Sequence, residues 1–157
     1  MEKSKVYFTD FRTKLGEGLP TKLKRLLKKA GIEEIDMDNK FVAIKMHFGE
    51  LGNLGFLRPN YAKAVADVVK ELGGKPFLTD CNTLYPGSRK NALEHLQCAW
   101  ENGFTPLTVG CPVLIADGLK GTDDICYLFI KCCIQHLLFF FGILIIKYCQ
   151  KYRHRTC

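Results

Sequence analysis

The eight cysteines of this 157-residue chain include no pair at C-x-x-C spacing. Iron–sulfur ligation needs closely spaced thiolates such as C-x-x-C-x-x-C, so a cluster held by this chain alone is not expected. Long apolar runs are missing too. The longest uncharged stretch, Cys132–Ile146, has 15 residues, short of the roughly 20 that a membrane helix needs. The glycines Gly49, Gly52 and Gly55 give G-x-x-G-x-x-G rather than the dinucleotide fingerprint. Nothing around Cys81 resembles a nucleophile elbow. The first residues, MEKSKVYFTDF, enter a strand-like run directly, so a secretory signal is not expected and a reducing cytoplasm is the expected home.

Acid is absent from one region alone. Residues 125–157 carry Lys131, Lys147, Lys151, Arg153 and Arg155 without a single Asp or Glu, so five of the seven net positive charges belong to this tail and the body is nearly neutral at +2. A basic excess confined to a tail gives no support for nucleic acid as a partner. The cysteines divide in the same way. Cys81, Cys98 and Cys111 are scattered through the body, an odd trio that does not read as a disulfide framework, and the other five crowd the tail from Cys126 onward. Two segments are expected: 1–124, a truncated α/β domain, and 125–157, an apolar, cysteine-rich basic tail. Three readings of the tail stay open. The leading one is a segment not native to the fold, from a shifted reading frame or a gene fragment; the others are a membrane anchor and a buried core helix. The positive flank on the C-terminal side argues against the anchor.

Within the body the apolar periodicity switches repeatedly between two and 3.6. Val6–Thr9 reads as a short first strand. Pro20 opens a helix with Leu19, Leu23, Leu26, Leu27 and Ala30 on one face, and Gly31 belongs at its C-terminal cap. The opposite face carries Lys22, Lys24, Arg25, Lys28 and Lys29, which reads as a solvated face before it reads as a polyanion patch. Phe41–His47 reads as a buried strand with Val42, Ile44 and Met46 on one side and Phe41, Ala43, Lys45 and His47 on the other. Pro59 suits the first turn of the next helix, which Gly73-Gly74 ends. Phe77–Thr79 is a third strand. Ser88 is the expected N-cap of a helix carrying Ala92, Leu93, Leu96, Ala99 and Trp100. Leu107–Val109 and Val113–Ala116 are expected as short strands. The alternation predicts an α/β fold, a partial Rossmann-like and mostly parallel sheet with flanking helices, with the atypical apolar tail appended.

In such sheets ligands bind at the carboxyl ends of the strands, and the loops after the strands are FGELGNLGFLR, DCNTLYPG and DGLKG. Ten residues in or beside them are the candidate lining of a cleft: Lys45, His47, Glu50, Asn53, Arg58, Asp80, Asn82, Ser88, Arg89 and Asp117. Lys45 offers a cation for an anion, and His47 with Glu50 offers a proton relay or metal ligands. Arg58 stands before Pro59 at a helix N-terminus, a favourable place for an anion. Each has a plainer alternative. Lys45 and Glu50 could neutralise each other, His47 could be hydrogen-bonded at the core boundary, and Arg58 could pair with Asp80. Cys81 reads as an ordinary small residue, because adjacent Asp80 disfavours a thiolate, and His95 as a core-edge histidine. The expected ligand is a small anionic or phosphorylated molecule. No catalytic residue is assigned.

The motifs KMHFGELGN–LRPNYA, GGKPFLTDCNTLYPGSRKNALEHLQCAWENGF and VGCPVLIADGLKGTD, in that order, resemble the N-terminal part of the domain of unknown function 362 family, whose members are described as uncharacterised iron–sulfur centre proteins. The resemblance covers roughly residues 4–123. It implies an α/β domain that continues further in full-length relatives, many of which carry a ferredoxin-like segment and so a 4Fe-4S cluster. It carries no cluster ligand onto any residue here, and it names no reaction. The rival readings are a non-catalytic scaffold or electron-transfer partner module, and a non-functional gene fragment.

Overall fold

The computed structural model describes residues 5–123 and the backbone of two tail strands, 137–140 and 143–147. In chain order the elements are α1 (Leu19–Lys29), β1 (Phe41–Met46), α2 (Pro59–Glu71), β2 (Lys75–Asp80), α3 (Ala92–Glu101), α4 (Pro106–Val109), β3 (Val113–Ile115), β4 (Leu137–Phe140) and β5 (Ile143–Lys147). The fold is α/β. β1, β2 and β3 form a parallel sheet with helices packed on it, in the order β3-β2-β1-β5-β4. β5 runs antiparallel beside β1, and β4 antiparallel beside β5.

The order of the three parallel strands follows from their sequences. β1 is buried at Val42, Ala43, Ile44 and Met46, and β2 at Leu78, Thr79 and Asp80, as strands covered on both faces should be. α2 presents Ala62, Val65, Ala66, Val68 and Val69 to the core, a stripe wide enough to cover β1 and β2. α1 packs its Leu26 and Leu27 against α2, while α3 packs beside β3. Around α1, Lys22 meets Asp10, Lys24 meets Asp67 and Glu71 of α2, Arg25 meets Glu17, and Lys28 meets Glu33. This face is answered by carboxylates.

Three local expectations are corrected. Val6–Thr9 is not a strand. It has no regular structure; just after it Lys22 Nζ of α1 donates to Asp10 O (2.9 Å), Asp10 Oδ1 (2.7 Å) and Arg12 O (2.6 Å), and the position beside β1 is taken by β5. Leu107–Val109 is helical, because Thr105 and Thr108 form a reciprocal capping box around Pro106 and Gly110 closes the turn with φ of 73°. Ser88 does not cap α3. Asn91 does so, its Oδ1 accepting from Glu94 N at 3.0 Å, which leaves residues 81–90 as a loop over the strand ends. In the tail, 137–140 and 143–147 are strands and not part of a core helix. The remaining tail residues, and with them the other readings of the tail, lie outside the described residues.

Candidate functional site

Parallel register places the ends of β1 and β2 side by side, with Lys45 opposite Thr79 and Asp80 one residue beyond. Lys45 Nζ donates to Asp80 Oδ1, and the Cys81 N–H donates to the same oxygen at 2.9 Å. The other oxygen, Oδ2, lies 3.6 Å from Arg89 Nη1 and 3.5 Å from His95 Nε2. Burial alone would raise the Asp80 carboxyl. His95, Lys45 and the Cys81 N–H outweigh it and hold the pKa at about 2. Asp80 is a buried, ionised carboxylate at the centre of the strand-end edge.

The loop after β1 is brought to this centre by its aromatic residues. Phe48 stacks at 5.3 Å from Phe104, which in turn lies 5.9 Å from Phe56, and Asn102 Nδ2 donates to Phe48 O at 3.0 Å. Between them Gly49 adopts φ of 85°, and a Cβ there would meet Phe56 Cδ1 at 2.6 Å and Asn102 Nδ2 at 2.7 Å. This position needs glycine for both conformation and space. The loop then delivers Glu50 to Arg89, whose Nε donates to Glu50 Oε1 at 2.7 Å. Tyr85 Oη donates to the same oxygen at 2.9 Å and accepts from Arg89 Nη2 at 2.6 Å. Arg89 lowers the Glu50 carboxyl below its ordinary range, against the opposing effect of burial. The guanidinium, with a side chain only 6% exposed, therefore lies between two carboxylates.

His47 is exposed at the mouth of this cluster, and its Nδ1 accepts from Gly49 N at 2.7 Å. Burial of part of the ring, then the nearby Arg89 charge, push its pKa down, so the neutral ring carries its proton on Nε2.

Of the ten expected residues, Lys45, His47, Glu50, Asp80 and Arg89 come together. Lys45 and Glu50 do not neutralise each other; each takes a different partner. Asn82 and Asp117 form a separate clasp, with Asn82 N donating to Asp117 Oδ2 (2.9 Å) and Nδ2 to Asp117 Oδ1 (3.0 Å) and Gly118 O (3.0 Å). Ser88 Oγ turns to Cys98 Sγ at 3.8 Å. Asn53 and Arg58 stay apart: Asn53 Oδ1 accepts from Gly55 N within its own turn (2.8 Å), and exposed Arg58 lies 5.1 Å over the Phe56 ring. Partial burial, with the Asp117 and Asp80 charges, raises the Cys81 thiol against the pull of Lys45. A raised thiol is a poor nucleophile at neutral pH.

Sequence reasoning passed over Tyr85 and undervalued His95. The signal for His95 was its register, since it shares the buried face of α3 with Cys98 and Ala99. A groove of about 380 Å³ opens beside the cluster along α3, and Ser88 is the one expected residue that lines it. A larger cavity of about 570 Å³ lies between α1 and the start of α2, and none of the ten expected residues lines it. The charged side chains are thus packed on one another, with the smaller groove at their flank.

Residues 42–138 match the family described as Domain of unknown function (DUF362). The chain belongs to this family. No curated protein and no solved structure matches it. In this DUF362 chain no three His, Cys, Asp or Glu side chains among the described residues are grouped so as to hold a metal ion. Cys98 and Cys111 are buried and Cys81 is exposed. Among the described residues no helix is long and apolar enough to cross a membrane.

Proposed function

We propose that the strand-end edge of this DUF362 domain binds a small anionic molecule, a phosphorylated one by preference, with Lys45 and His47 as its contacts. The observation that carries this reading is the pairing of two donors on one face of β1. Asp80 positions the Lys45 ammonium, whose side chain is 36% exposed, and the Gly49 N–H occupies Nδ1 of exposed His47, which leaves Nε2–H as its donor. A cation and a neutral N–H donor at the end of a parallel strand suit a phosphate oxygen pair, and charge-assisted hydrogen bonds of this kind contribute about 1.5–3 kcal/mol. Asp80, Arg89 and Glu50 hold the frame behind them. No reaction is assigned.

Calorimetric titration with inorganic phosphate and pyrophosphate tests this. Lys45→Met is expected to weaken binding by about tenfold or more, and His47→Gln by less. Equal affinity in the Lys45→Met protein and the parent would sink the reading. A second reading has its own support, because Arg89, Glu50 and Asp80 already satisfy one another. Here the domain is a scaffold or electron-transfer partner module in a reducing cytoplasm, and the 4Fe-4S cluster implied for full-length relatives is held by other segments. The absence of any heat or thermal shift at millimolar phosphate favours it.

A further inference from the structure

His95 is the largest polar group in the core that the ion pairs leave unexplained. Its side chain is 0% exposed, and neither ring nitrogen has a hydrogen-bond partner among the described residues; Asp80 Oδ2 is in the same position. A buried imidazole used only for bulk is costly, since each orphaned polar atom forfeits its hydration, whereas an apolar side chain of similar volume would not. The ring packs edge-on to Phe48 with centroids 5.9 Å apart, which orients it. Its charged partner is Asp80 from β2, which also meets Lys45 from the end of β1 and Arg89 from the loop before α3, and Arg89 in turn pairs with Glu50. On its own helix the neighbouring charge, Glu94, is exposed and pairs with Lys90. Of these, the Asp80 oxygen is 3.5 Å from Nε2.

We propose that His95 is a positioning residue of the strand-end site: its Nε2–H holds Asp80 Oδ2, and so turns Oδ1 toward Lys45 Nζ and the Cys81 N–H. The inference rests on the anion-binding reading for its purpose but not for its test. An ionised carboxylate selects the Nε2–H tautomer of a neutral imidazole beside it. Without that donor, Oδ2 is left with Arg89 Nη1 at 3.6 Å, beyond hydrogen-bond distance, and the carboxylate turns. Lys45 then loses the partner that sets its ammonium at the site's mouth.

The experiment follows the Asp80 carboxyl by carbon NMR in the full chain, over the upper limb of its acid titration. His95→Phe is expected to raise the Asp80 midpoint by about one pH unit. His95→Gln, whose amide N–H reaches in the same direction, should recover at least half of that change. In the parent, long-range proton–nitrogen correlation should find the His95 proton on Nε2, a readout that needs no variant. A core-filling histidine predicts the reverse: the Asp80 midpoint is unmoved by His95→Phe, Gln is no better than Phe, or the proton is on Nδ1. Any of these overturns the proposal. Phosphate affinity, measured alongside, should fall severalfold in His95→Phe. If Asp80 responds as expected but phosphate binds neither protein, the anion reading fails and the positioning role stands. If phosphate binds through Lys45 while Asp80 is indifferent to His95, the positioning role fails alone.

Discussion

Asp80→Asn is the sharpest perturbation of this fold, because one atom change removes the charge on which Lys45, Arg89 and His95 converge. The folded carboxyl is held at about 2 against an ordinary 3.8. At about 1.4 kcal/mol per pH unit, that depression amounts to about 2 kcal/mol of stability at neutral pH. The sign follows from the lowered value: the contribution is complete above the unfolded pKa and is lost as pH falls through the folded one. About half should remain at pH 3. The amide oxygen can still accept from the Cys81 N–H, so the loss is mainly electrostatic. Urea unfolding of parent and variant should therefore differ by about 2 kcal/mol at pH 7, equivalent to roughly 4–8 °C in Tm for a chain of this size. The difference should shrink to about 1 kcal/mol at pH 3. A gap that is the same at both pH values would refute the assignment of Asp80 as an ionised hub, as would a variant as stable as the parent.

Two further perturbations probe the frame around it. Gly49→Ala meets both a φ of 85° and contacts below 3 Å with Phe56 and Asn102, whereas Gly52→Ala at φ of 78° meets nothing within 4 Å among the described residues. Urea unfolding should show a loss of about 1 kcal/mol at Gly52 and about 3 kcal/mol or more at Gly49; equal losses would mean that the aromatic packing of the loop is not tight. Arg89→Met leaves Glu50 and Asp80 facing each other without the guanidinium between them. The expected loss is about 3 kcal/mol at pH 7, and the Glu50 carboxyl should move back up toward its ordinary range by NMR; an unmoved Glu50 would contradict the geometry of this pair.

The fold was legible wherever periodicity and punctuation agreed. α2 carries Pro59 at its start, a wide apolar stripe and Gly73-Gly74 at its end, and each of these signals points the same way. Val6–Thr9 had the composition of a strand but no vacancy beside β1, and pairing is a tertiary property that a four-residue segment does not encode. Thr105–Gly110 shows the opposite failure. Its β-branched residues suggested a strand, while the cap formed by Thr105, Pro106 and Thr108 had a definite geometry that overrode propensity.

The site was legible as an edge and illegible as a set of pairs. Parallel strands put their following loops together whatever those loops contain, so Lys45, Glu50 and Asp80 could be placed along one side from the strand pattern alone. Which cation meets which acid depends on side-chain direction at distances of a few ångströms. Arg89 reaches Glu50 only because Asn91, rather than Ser88, starts α3 and leaves residues 81–90 free to cross the strand ends. His95 reaches Asp80 because α3 buries the face of His95, Cys98 and Ala99, whereas Leu93 and Trp100, expected on the apolar face, are exposed. Where this helix begins and which face it buries therefore account for the largest revisions to the site. The consequence is testable through Asn91 itself. Asn91→Ala removes the cap that fixes this start and should cost about 1 kcal/mol by urea unfolding. If the helix start sets the pairing, the same variant should also raise the Asp80 and Glu50 carboxyl midpoints, although Asn91 touches neither; a loss of stability with both midpoints unchanged would separate the cap from the site.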